Sequence, residues 1–121
     1  MAGDRRENDP VRGIESWAMH QVADAWAKNY GPDDSDVAVN ARLGAYTEIL
    51  AQAYGMHGEP GLGEIESWAA RRFTDAWLAL QEAQGTGRDA AQARMDAYGG
   101  LAAQALKARR VMAKQEQDKG K

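Results

Sequence analysis

The apolar residues of this chain recur at helical spacing, and they do so twice. Ile14, Ala18, Val22, Ala25 and Trp26 share one side of a 3.6-residue period, as do Tyr46, Ile49, Leu50 and Ala53. Ile14-Glu15-Ser16-Trp17-Ala18 returns as Ile65-Glu66-Ser67-Trp68-Ala69, and Asp24-Ala25-Trp26 returns as Asp75-Ala76-Trp77, both at an offset of 51. After one inserted residue, Ala41-Arg42, Ala45-Tyr46 and Ala51-Gln52-Ala53 return at an offset of 52 as Ala93-Arg94, Ala97-Tyr98 and Ala103-Gln104-Ala105. A self-match of this kind marks one structural unit used twice.

Breakers divide each unit into two helices. Asp9-Pro10 reads as a helix start, because proline is tolerated where the backbone N–H needs no partner. Helix 1 is expected over about 11–30 and helix 2 up to Tyr54, capped by Asp34 or Ser35 after a turn at Asn29–Asp34. A Gly/Pro-rich link at 55–63 leads to helix 3 over about 64–84. A second turn at Gln84–Gly87 leads to helix 4 over about 88–115, with Thr86 and Asp89 arranged like a capping box. The expectation is an all-α single domain over 1–121, with repeat 1 at about 11–55, repeat 2 at about 62–115 and flexible ends at 1–9 and 116–121. Two tandem helical hairpins each have an apolar face that neither covers alone. Packing them about a pseudo-two-fold axis gives a four-helix bundle; dimerisation of a hairpin through its own repeat is the alternative.

The repeated polar residues need their own explanation. Arg42 and Arg94 fall within the apolar faces of helices 2 and 4, where an unpaired cation is costly. In an antiparallel hairpin, facing residues have a roughly constant sum of residue numbers. A turn centred near 33 sets Asp24 opposite Arg42, and one near 85 sets Asp75 beside the residue opposite Arg94. Buried ion pairs Asp24–Arg42 and Asp75–Arg94 are therefore expected, holding helix register more than adding stability. The same arithmetic predicts Glu15–Gln52 and Glu66–Gln104 contacts. It also leaves open a shared polar site where Glu15 and Glu66 meet and hold a cation.

Composition narrows the chemistry. The chain has no Cys, which removes disulfides, zinc–thiolate sites and thiol nucleophiles. A net charge of −3 names no partner class. Much of the 44% hydrophobic content is alanine, so the four Trp and four Tyr must fill space that alanine leaves. No apolar run approaches the roughly 20 residues of a membrane span. The charged opening residues carry no secretory pattern, and the cytoplasm is the expected location. His20 and His57 follow no Glu-x-x-His spacing, and Asp33, Asp34 and Asp36 read as helix-start residues. No catalytic residue, metal ligand set or cofactor site is assigned.

Interaction is the remaining class. Trp17, Trp26, Trp68 and Trp77 border the apolar faces, as core wedges or as interface anchors. Lys107, Arg109, Arg110 and Lys114 sit on a helix 4 that outreaches its neighbours. Gly99-Gly100 inside helix 4 implies a bend or the close approach of another helix, from this chain or a second one. The leading expectation is a non-enzymatic helical protein that binds another macromolecule, chiefly protein. An accessory or inhibitory factor of a phage or plasmid is of this kind. A nucleic-acid-associated regulator using the basic end of helix 4 is the alternative, and a metal-dependent enzyme with paired glutamates ranks third. A homodimer is compatible with either of the first two.

Overall fold

The computed structural model describes residues 9–29 and 37–119. Within them the chain forms helices α1 (Pro10–Asn29), α2 (Val37–Tyr54), α3 (Gly58–Glu82) and α4 (Thr86–Lys119). No strand occurs among the described residues. The first turn and its candidate caps Asp34 and Ser35 lie outside them, as do residues 1–8.

Asp9 starts α1 by accepting the Val11 N–H at 2.9 Å, a helix-capping bond. The same carboxylate accepts the Gly58 N–H at 3.1 and 3.2 Å. Helices α1 and α3 therefore begin at the same end of the bundle. The link between α2 and α3 shrinks to Gly55–His57, much shorter than the expected loop. Gly58 takes φ +67°, which turns the chain. Pro60 then sits in the first helical turn, where its missing N–H costs nothing. Gly61 is buried and abuts the link, and a Cβ on it would lie 3.0 Å from the Met56 carbonyl carbon. Gly58, Pro60, Gly61 and Gly63, expected to make a loop, instead lie in the start of the helix, and Gly55 stays in the link.

At the second turn, Gly85 adopts φ +60°. Its carbonyl accepts the Arg88 N–H at 3.1 Å and the Asp89 N–H at 3.4 Å, so the expected Thr86–Asp89 capping box is not made. Thr86 is already helical. At the far end α4 continues to Lys119, through residues expected to fray.

The core is built on small residues. Ala41, Ala45, Ile49 and Ala53 form the buried row of α2. In α4, Ala93, Ala97, Leu101 and Ala105 are buried at the same four-residue interval. Rows spaced by four are the ridges that interdigitate in helix packing, and alanine lets the axes approach closely. Contact between the hairpins is broadest between α2 and α4, while α1 and α3 flank them. Ile14, Leu62, Ile65 and Trp68 fill the space around the alanines.

This geometry corrects the placement of arginine. Arg42 is one residue on from Ala41, roughly 100° round the helix, at the edge of the buried row. Arg94 is exposed. No polar or charged residue is fully buried among the described residues, so the expected buried ion pairs do not occur.

Candidate interaction surfaces

Two aromatic pairs organise the hairpins. Trp17 of α1 meets Tyr46 of α2 edge-on, with centroids 5.5 Å apart and planes at 83°. Trp68 of α3 meets Tyr98 of α4 in the same way, at 5.7 Å and 88°. Edge-to-face contacts add about 0.5–1.5 kcal/mol beyond burial. Burial raises the pKa of both tyrosine hydroxyls above the ordinary value of 10.0. Next in order, Arg42 lowers that of Tyr46 and Glu48 raises that of Tyr98.

The ion pairs around these tyrosines differ from those expected. Asp24 pairs with Lys28 one turn along α1 at 3.1 Å. Arg42 faces Asp96 of the other hairpin at 3.9 Å. Asp24 and Arg42 line one cleft with Tyr46 but do not form the expected bridge. Asp75 and Arg94 are both exposed, and no bridge joins them. A partly exposed arginine reaches water along its own stem and needs no carboxylate in its hairpin. Sequence sums locate facing backbones and carry no information about side-chain direction.

A further bridge joins α2 and α3. Arg72 of α3 lies 3.0 Å from Glu48 of α2, and its guanidinium sits 5.4 Å from the Trp68 ring centre. The Glu48 Oε1 is buried without a directional hydrogen bond, so charge alone holds it there.

The expected Glu–Gln contacts give way to an arginine fork. Arg109 of α4 donates to Glu66 Oε1 from Nε at 3.0 Å and from Nη2 at 2.7 Å. Its Nη1 donates to Glu59 at 3.2 Å. Glu66 thus pairs with Arg109, and Gln104 lies in a groove beside α1 instead. Those bonds, Glu66 first, favour the charged form of Arg109 further. The clue was readable: Glu59 and Glu66 are seven residues apart on one helical face. Glu15 lines a cleft with Asp9, Arg12 and His57, whereas Gln52 lines a different one. His57 Nδ1 lies 3.6 Å from Asp9. Among the described residues, no group of three or more His, Asp or Glu is arranged to hold a metal ion.

The tryptophans split into two classes. Trp68 is buried at 9% exposure and Trp17 is half-buried, while Trp26 and Trp77 are 56% and 47% exposed. Trp26 and Trp77 occupy matching positions in the sequence repeat, Trp26 in the last turn of α1 and Trp77 one turn further in from the end of α3. Met19 lies seven residues before Trp26, on the same face of α1, and is 60% exposed. Phe73 lies one turn before Trp77 on α3 and is also exposed. Both outer helices therefore present large apolar side chains to solvent.

The basic end of α4 also divides. Arg109 is engaged by Glu59 and Glu66, whereas Lys107, Arg110 and Lys114 are exposed and have no ion pair among the described residues. Among the described residues, no helix is long and apolar enough to cross a membrane. No family model, curated protein or solved structure matches the chain.

Proposed function

We propose that this chain is a non-enzymatic binding module whose partner is another protein, held through the exposed apolar faces of α1 and α3. The observation that carries this reading is the exposure of Trp26 and Trp77. Tryptophan is among the costliest side chains to leave in water and the most enriched at interface centres. Both are exposed at matched positions of the sequence repeat, with Met19 two turns before Trp26 and Phe73 one turn before Trp77. Large apolar side chains left exposed on one helix face support an interaction site.

The internal repeat belongs to the same proposal. The bundle is read as one hairpin used twice, related by an approximate two-fold axis. Support comes from Ile14 and Ile65, Ala18 and Ala69, and Ala45 and Ala97, which are buried alike, and from the matching Trp–Tyr contacts. On this reading the two outer faces are equivalent, and the module engages two copies of its partner or a two-fold partner.

The test is affinity capture from the native host with wild-type protein and with a Trp26→Ala/Trp77→Ala variant, read by quantitative mass spectrometry. Proteins recovered by the wild type should be depleted at least about tenfold with the variant. Circular dichroism should show the same helix content in both. Equal recovery from the two proteins, or recovery of nothing specific by either, overturns the reading.

A further inference from the structure

The side of α4 turned away from the core has a charge pattern of its own. Gln92, Asp96, Gly99, Ala103, Leu106 and Arg110 fall within a strip about 80° wide, opposite the buried row of Ala93, Ala97, Leu101 and Ala105. Phe73 borders this strip at Gly99, and Trp17 borders it at Gly100. Leu106 is 51% exposed. Arg88, Arg110 and Asp118 are exposed, and none has an ion pair among the described residues.

The charges are ordered about Ala103. Turning α4 end for end about that residue exchanges positions equally far on either side of it. Arg110 then falls on Asp96, and Arg88 falls on Asp118, so opposite charges meet. Lys107 falls on Gly99 and Lys114 on Gln92. Along the whole of α4 no charge falls on a like charge. A two-fold contact requires this kind of self-complementarity, because every pairing in it occurs twice.

We propose that this face of α4 is covered by the same face of a second copy of the chain, antiparallel about a two-fold axis at Ala103. Arg110 of each copy pairs with Asp96 of the other. Lys114 stands opposite Gln92 of the other copy, one turn from both Asp89 and Asp96. Leu106 meets Gly100 of the other copy beside its Trp17 ring. Gly99 and Ala103 keep the centre of the contact low, which lets the two helix axes approach closely. Asp96 accepts the Gln92 amide at 3.0 Å on one oxygen and lies 3.9 Å from Arg42 on the other. A carboxylate has about four acceptor positions, so Arg110 of the second copy finds room there. Asp96 and Asp118 within the strip disfavour a phosphate backbone as the occupant. The contact uses neither Trp26 nor Trp77, so this inference and the proposed binding of another protein stand or fall separately.

The test uses the full chain, which has no Cys of its own. Sedimentation equilibrium at micromolar concentration should give twice the chain mass. Ala103→Cys places the new thiol on the axis, and mild oxidation should join two copies through it. Ala113→Cys, also exposed, should not cross-link, because its counterpart on the second copy lies roughly 30 Å along the helix. Ala103→Glu should yield a monomer of unchanged helix content. Arg110→Glu should weaken the dimer at least about tenfold, and Arg110→Glu/Asp96→Arg should recover it. Trp26→Ala/Trp77→Ala should leave the dimer as it is. A monomeric wild type, equal cross-linking at 103 and 113, a dimer that survives Ala103→Glu, or a dimer lost only with the tryptophans overturns the proposal. A monomer that still captures a tryptophan-dependent partner removes this dimer and leaves the binding module standing. A dimer cross-linked at 103 with no captured partner does the reverse.

Discussion

Trp17 of α1 rests on Gly100 of α4, so closely that a Cβ on Gly100 would lie 3.0 Å from the ring's Cζ2. Trp17 also meets Tyr46 of its own hairpin edge-on. It therefore ties its own hairpin to the other. Gly99, the preceding residue, faces Phe73 at an ordinary 3.4 Å. The paired glycines are thus inequivalent. Gly99→Ala should stabilise by up to about 1 kcal/mol through helix propensity. Gly100→Ala gains the same propensity but displaces a wedged ring, and should come out about 1–2 kcal/mol less stable than Gly99→Ala. Urea denaturation of both variants measures the difference. Equal midpoints for the two would show that Trp17 moves freely.

Core and surface tryptophans should separate cleanly. Trp68→Ala removes a buried ring from the edge of Tyr98 and should cost about 3–5 kcal/mol. Trp77→Ala changes an exposed position and should stay within about 0.5 kcal/mol of the wild type. Thermal unfolding followed by circular dichroism distinguishes them. A large loss in Trp77→Ala would mean that this side chain packs against its own chain and is not held in reserve for a partner.

Burial raises the pKa of the Tyr46 and Tyr98 hydroxyls, which ties the stability of the fold to alkaline pH. Below pH 10 both are neutral in the folded and unfolded chain, and their contribution to stability is fully present. As pH rises through about 10, the unfolded tyrosines ionise first, and stability falls until the raised folded values are passed. Tyrosinate absorbance should therefore develop late for these residues. Tyr46→Phe/Tyr98→Phe should flatten the alkaline decline in melting temperature. An unchanged alkaline slope in that variant contradicts the assignment.

Asp9 performs two tasks with one carboxylate, capping α1 and accepting the Gly58 N–H that starts α3. Asp9→Ala should cost about 1–2 kcal/mol, the upper part of the range for a lost cap. Hydrogen exchange should quicken at the starts of both helices together. Faster exchange in α1 alone would show that the junction to Gly58 carries no energy.

Arg109→Lys keeps the charge but loses the fork onto Glu66. Arginine's fixed planar donors cannot be matched by an ammonium. Hydrogen exchange should rise in α4 around residues 105–113 while Ala93 and Ala97 stay protected. The reverse pattern would place the role of Arg109 in the core instead of at the end of α4.

Helix number, hairpin order and buried residues such as Ile14, Ile49 and Leu101 were legible from spacing, because a helix must hide its apolar side whatever it packs against. The second turn was legible from Gly85, since positive φ suits glycine. The polar contacts were not. Spacing read Arg42 as central in its apolar face, but alanine, which carries little hydrophobic weight, is what the close approach of α2 and α4 buries. The link departs from its composition for a similar reason. Gly58, Pro60 and Gly61 have a loop composition, yet Asp9, 49 residues earlier, supplies an acceptor that lets a helix begin there.

The sequence by itself determined that this chain is helical, that it repeats, and that it carries no thiol chemistry. Those properties depend on local periodicity and residue type, which a chain cannot change by folding. Tertiary structure alone decided that Arg109 takes Glu66, that Arg42 turns to Asp96, that Gly100 receives Trp17, and that Trp26 and Trp77 keep about half of their surface exposed while Trp68 does not. Each outcome depends on where a side chain points after two distant helices meet, and on what fits in the space left between alanine faces.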